Sequence, residues 1–114
     1  MNELDRTFAA LADPTRRQVV DLLRTGERRA GELADELGMS PPAMSRHLRI
    51  LRTSGLVEES HDGHDARVRM YRLRQRPFGQ VREWVEEVER FWAGELASFK
   101  QHAERKSGAP RRKP

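Results

Sequence analysis

The chain has 114 residues, no cysteine, 35% charged side chains and a formal net charge of +4. That length suits one domain with a single modest core. Without thiols there is no disulfide framework and no thiolate metal site; with no apolar run of membrane-spanning length and no secretory leader, a cytoplasmic protein is expected.

The first predicted helix covers residues 3–12, with Leu4, Phe8 and Leu11 on one side. Asp13 and Pro14 restart the chain as N-cap and first helical residue. The second helix runs to about Arg24, with Val19, Val20, Leu22 and Leu23 as its apolar residues, and Thr25-Gly26 ends it. A third begins near Ala30, turns Leu33, Ala34 and Leu37 inward, and stops at Gly38. Ser40 and Pro41 then open a fourth helix as N-cap and first residue. Met44, Leu48 and Leu51 form its apolar stripe, while Pro42, Ser45, Arg46 and Arg49 make the opposite face. That face is short near the cap and ends in guanidinium groups, so it can enter a major groove. Two short helices joined by a tight turn, the second basic and outward-facing, make a helix-turn-helix.

Ser54-Gly55 closes the fourth helix. Residues 56–59 and 68–73 read as two strands around the polar tip His61-Asp62-Gly63-His64-Asp65. Alternation in the second strand is imperfect and leaves its inward face unsettled. A hairpin directly after a recognition helix is the wing of a winged helix, and it places Arg67 and Arg69 near phosphates beside the groove. The four tip residues His61, Asp62, His64 and Asp65 read better as a solvated loop than as a metal site, because nothing else supplies ligands or a supporting shell. From Phe78 to about Ala103 a long helix carries Val81, Val85, Val88, Trp92, Leu96 and Phe99 at steps of three and four, widened by Trp84 and Phe91. So broad an apolar face calls for a partner, and the same helix of a second subunit is the economical one. Residues 105–114, with 5 basic and no acidic side chains, are expected to be a disordered tail after a domain of residues 1–104.

Charge follows this plan. Residues 1–38 hold 6 basic and 8 acidic side chains, residues 39–76 hold 8 and 4, and residues 77–104 hold 3 and 6. Positive charge in the body is therefore confined to the recognition helix and the segment after it, the pattern of an oriented polyanion site.

Leu11-Ala12-Asp13-Pro14-Thr15-Arg16-Arg17, Gly31-Glu32-Leu33-Ala34, the run from Met39 to Leu48, and Leu51 through Gly55-Leu56-Val57 together resemble the arsenical-resistance-repressor (ArsR/SmtB-type) family. The resemblance covers roughly residues 4–100 in order and spacing. It implies a mainly α winged helix-turn-helix with a small β-hairpin wing and a long C-terminal dimerisation helix. It also implies a homodimer that represses by occupying a two-fold symmetric operator. Two metal-site patterns of the family are not matched. Arg29 and Gly31 stand where its thiolate box has cysteines, and the last helix has no histidine before His102. No metal or other cofactor is expected, and the inducing signal does not carry over.

On this reading Pro42, Ser45 and Arg46 meet base edges, with Arg46 placed to pair bidentately with a guanine. Ser40, Thr15, Arg16, Arg49, Arg67 and Arg69 meet phosphates. His47 is a packing or phosphate-bonded residue. Leu4, Phe8, Leu11, Val81, Trp84, Val85, Val88, Phe91 and Trp92 form the dimer interface. The partners are double-stranded DNA and a second copy, with an unknown small-molecule inducer as a further one and no membrane. Two other functions fit the same residues: a repressor answering to a small apolar ligand held between the dimer helices, and a sequence-tolerant DNA-coating protein using the basic tail. An enzyme is not expected, since no nucleophile–base set has motif spacing and no glycine-rich loop could cradle a nucleotide.

Overall fold

The computed structural model describes residues 1–107. The elements run α1 (Glu3–Leu11), α2 (Pro14–Leu23), β1 (Arg28–Arg29), α3 (Ala30–Glu36), α4 (Pro41–Thr53), β2 (Val57–Asp62), β3 (Asp65–Leu73) and α5 (Gln75–Ser107). The architecture is a winged helix-turn-helix, mainly helical, with a three-stranded antiparallel sheet in the order β1-β3-β2.

Helix starts follow local chemistry. Asn2 Oδ1 accepts from the Asp5 N–H at 2.8 Å, and the Asp5 carboxylate accepts in return from the Asn2 N–H at 3.3 Å, closing a capping box on α1. Asp13 Oδ1 accepts from the N–H groups of Thr15 and Arg16 at 2.8 and 3.1 Å, and Pro14 follows at the first helical position. These N–H donors, that of Arg16 foremost, hold the Asp13 carboxyl below the ordinary carboxylate value, and the nearby Arg16 charge adds to them. Ser40 Oγ accepts from the Ala43 N–H at 3.3 Å and Pro41 opens α4. Gly38, at φ +62°, turns the chain between α3 and α4 in the left-handed region that a side chain disfavours. Gly55, at φ +84°, does the same after α4.

The core joins α1, α2, α3, α4 and the base of the wing. Val19, Leu33, Met44, Leu48, Leu51, Leu56 and Val57 are fully buried, each such side chain stabilising the fold by about 1.5–3 kcal/mol. The stripe predicted on the fourth helix is the face that α4 buries. Tyr71 belongs to the core and Leu73 packs against it, which settles the inward face of β3 at its base.

Four boundaries differ from expectation. Both wing strands reach three residues further toward the tip, because cross-strand backbone bonds extend through residues 57–61 and 69–73 and the ladder resumes between Asp62 and Asp65 after an irregularity. β1 was not foreseen: Arg28 and Arg29 pair with Tyr71 and Met70. The last helix starts at Gln75 rather than Phe78, with Pro77 in its first turn, where a missing N–H is harmless. It also continues to Ser107, past the expected domain boundary at residue 104; residues 108–114 of the predicted tail lie outside the described residues. The chain forms two compact units, Met1–Val81 and a second beginning at Arg82 within α5. Among the described residues no helix is long and apolar enough to cross a membrane.

Candidate nucleic-acid interface

Helix α4 presents Ser40, Pro42, Ser45, Arg46 and Arg49 as exposed residues opposite its buried Met44–Leu48–Leu51 stripe. No acidic residue occurs between Pro41 and Thr53. Consistent with this, the side chains of Arg46 and Arg49 make no hydrogen bond or ion pair among the described residues, so both guanidinium groups keep their full donor sets. Ser40 is committed through its hydroxyl to the helix start. His47 is half-buried, and its Nδ1 is enclosed without a hydrogen-bond partner. It thus lies on the packed edge of α4 rather than its open face.

Arg16 is placed differently from the sequence expectation. Its side chain is only 14% exposed. Nε donates to the Ala10 carbonyl at 2.7 Å, Nη2 to the Ala9 carbonyl at 3.3 Å, and Nη1 lies 3.8 Å from Asp13. Arg17 Nη1 donates to the carbonyls of Leu11 and Ala12 at 2.7 and 3.1 Å. The two arginines therefore satisfy the open carbonyls of Ala10, Leu11 and Ala12 where α1 ends, and Arg16 adds a second donor to that of Ala9, which already accepts from the Ala12 N–H. The guanidinium of Arg16, read from sequence as a phosphate contact, is a clamp between α1 and α2. Thr15 is half-buried at the start of α2.

On the wing the arginines are paired. Arg67 donates from Nε and Nη2 to the two Asp65 oxygens at 3.2 and 3.3 Å, although its side chain is 91% exposed. These bonds, together with the Arg67 backbone N–H, hold the Asp65 carboxyl below its ordinary value. Arg69 lies 3.5 Å from Glu59 Oε1. The other Glu59 oxygen accepts from Arg52 Nη1 at 3.1 Å and from the Tyr71 hydroxyl at 3.1 Å. Burial first, and then the bond to Glu59, push the Tyr71 hydroxyl above its ordinary pKa. Glu59, 14% exposed, thus ties the last turns of α4 to both the base and the middle of the wing. Sequence reasoning missed this joint. Its signal was the register, since Glu59 stands directly opposite Tyr71.

The residues read as a dimer interface fall in both units. Leu4, Leu11 and Val81 are half-buried and Phe8 is exposed in the first unit. In the second, Trp84, Val85 and Val88 are partly uncovered, and Phe91 and Trp92 are 70% and 66% exposed.

The model for the bacterial regulatory proteins of the arsR family matches residues 13–59. The chain is 38% identical over 97 residues to the HTH-type transcriptional regulator Rv2034 of Mycobacterium tuberculosis, covering 85% of each chain. It is 37% identical over 60 residues to the transcriptional repressor SdpR of Bacillus subtilis, covering 53% of this chain and 67% of that one. Its structure is similar to that of the homodimeric winged helix-turn-helix DNA-binding domain of a possible ArsR-family regulator from Mycobacterium bovis. That comparison gives a TM-score of 0.61 and 31% identity, covering 76% of this chain and 78% of the other. These relatives are regulators of transcription, not enzymes. With an 85% overlap at that identity and the fold in agreement, the chain belongs to the ArsR family of bacterial regulatory proteins.

Proposed function

We propose that the protein is a homodimeric transcriptional repressor that reads a two-fold symmetric operator with α4 and flanks it with the wing. The observation that carries this reading is the pair of unpartnered guanidinium groups of Arg46 and Arg49 on a capped helix whose other face is locked in the core. Pro42, Ser45 and Arg46 meet base edges in the major groove, and Ser40, Thr15, Arg49, Arg67 and Arg69 meet phosphates. The exposed apolar residues of α5 from Trp84 to Trp92 are a surface that a second copy covers, and the exposed Phe8 of α1 is a further contact in the first unit. The homodimeric state of the Mycobacterium bovis domain supports the same assembly. Arg29 and Gly31 in place of the thiolate box make the repressor independent of metal at that position.

Fluorescence anisotropy tests this with the duplex upstream of the protein's own gene against a scrambled duplex, at several salt concentrations, with and without chelator. The expected result is salt-sensitive binding that prefers the native duplex by orders of magnitude and ignores chelator. Equal affinity for both duplexes would replace operator reading with DNA coating or place the operator elsewhere. Sedimentation of Trp92→Ala checks the assembly: its dimer should dissociate at lower dilution than the wild type, and an unchanged dimer constant would remove α5 from the interface.

A further inference from the structure

Away from the α4 face, the first unit has a recess between α1, the end of α4 and the first turn of α5. Its volume is about 150 Å³, and its walls include Arg6, Arg74, Arg76, Glu3, Thr53 and Ser54. Three guanidinium groups thus meet one carboxylate. That carboxylate is engaged already: Glu3 accepts from Gln80 Nε2 at 2.8 Å and lies 3.5 Å from Arg76. Arg74 has no side-chain hydrogen bond or ion pair among the described residues, and its Nη1 lies over Gly55, 3.7 Å from where a Cβ would stand.

The placement of charge here runs against what a helix start favours. The positive end of a helix dipole is stabilised by acidic groups and opposed by cations. Helix α1 opens with Glu3 and Asp5, in keeping with that rule. Helix α5, the longest in the chain, has no acidic residue in its first turn and has Arg74 just before it and Arg76 within it. An anion lodged in the recess would answer both the uncompensated guanidinium charge and the helix end.

We propose that this recess binds a small oxyanion, a carboxylate or a phosphate of about six heavy atoms, as an effector of the repressor. The size follows from the volume, since a cavity of about 150 Å³ accommodates a molecule the size of benzene. The chemistry follows from the guanidinium fork, which matches paired oxygens. Thr53 and Ser54 end the helix assigned above to DNA, so occupancy bears on the position of α4. The effector role rests on that assignment; the binding does not.

Calorimetry on the full chain tests binding, with sodium phosphate and sodium lactate titrated separately against sodium chloride of equal ionic strength. One of the two should bind saturably at one ion per chain. Affinity should fall at least tenfold in Arg74→Gln, be substantially restored in Arg74→Lys, and remain unchanged in Arg46→Ala. Binding of neither anion beyond chloride would overturn the proposal. So would binding lost in Arg46→Ala and kept in Arg74→Gln, which would locate the anion on the DNA face. The operator titration is then repeated with the bound anion at saturation, and a shift of about fivefold or more, absent in Arg74→Gln, is expected for an effector. No shift would overturn the effector role. A weaker, less salt-sensitive duplex complex of Arg74→Gln without added anion would assign the recess to the DNA backbone instead, also against the proposal. Anion binding with equal affinity for native and scrambled duplex would leave the site standing and overturn operator reading.

Discussion

Arginines on the recognition helix and arginines on the wing carry the same charge into different surroundings. Arg46 and Arg49 stand on a helix with no acidic residue, so nothing one turn away can neutralise them. Arg67 and Arg69 stand on β3, where Asp65 two residues back and Glu59 across the hairpin hold them. A free guanidinium brings its whole charge to a ligand. A paired one must share it or first leave its carboxylate. On the proposed reading, this difference makes α4 the main source of affinity and specificity and the wing a smaller, adjustable part.

The sharpest way to break this comparison is at Arg46. Arg46→Ala should cost about 1–3 kcal/mol in operator binding and relax specificity at one base position, because a bidentate base contact is lost. Anisotropy against single-position operator variants reads both; a uniform loss across all variants would make Arg46 a phosphate contact. Arg49→Ala should weaken binding to every duplex alike and reduce the slope of log K against log salt by about 0.9. Arg67→Ala should reduce that slope by less, since Asp65 already offsets part of its charge, and Asp65→Asn should steepen it. Equal slope changes at Arg49 and Arg67 would abolish the distinction between helix and wing. Glu59→Gln releases Arg52 and Arg69 together. It should raise affinity for scrambled duplex by a few fold and narrow the preference for the operator, as the wing loses its tie to α4. An unchanged ratio of the two affinities would show that the joint does not align the reading elements.

The smallest expected effect concerns the frame beneath α4. Asp13 has a folded-state pKa below its unfolded value, held there chiefly by the backbone N–H of Arg16. Its contribution to stability is therefore present above the unfolded pKa, about 3.9, and lost as pH falls through the folded value. Asp13→Asn should flatten the acid limb of a plot of stability against pH and leave operator contacts at neutral pH nearly intact. A limb as steep as in the wild type would assign the acid transition to other carboxylates.

Most of the scaffold was legible because its signals are local. Ser40-Pro41 and Asp13-Pro14 mark helix starts through bonds that span two or three residues, and the Met44–Leu48–Leu51 stripe needs only helical periodicity. The outer wing was not legible, since residues 60–62 and 65–67 are polar apart from Ala66 and their strand conformation depends on pairing across the hairpin rather than on an apolar pattern. The two-residue β1 is shorter than any sequence pattern and exists through its pairing with β3.

The amino-acid sequence by itself determined the order of the helices, the capped recognition helix with an acid-free outer face, and the apolar stripe of the last helix. Each of these depends on residues within a turn or two of one another. Only the tertiary structure decided where each arginine goes. Arg16 turns inward because the end of α1 presents open carbonyls beside it. Arg52 and Arg69 converge on one carboxylate because α4 and the hairpin bring Glu59 between them. Arg74 gathers with Arg6 and Arg76 because α1, α4 and α5 meet there. A guanidinium group on a long flexible stem takes the acceptors it can reach, and those are set by elements distant in the chain.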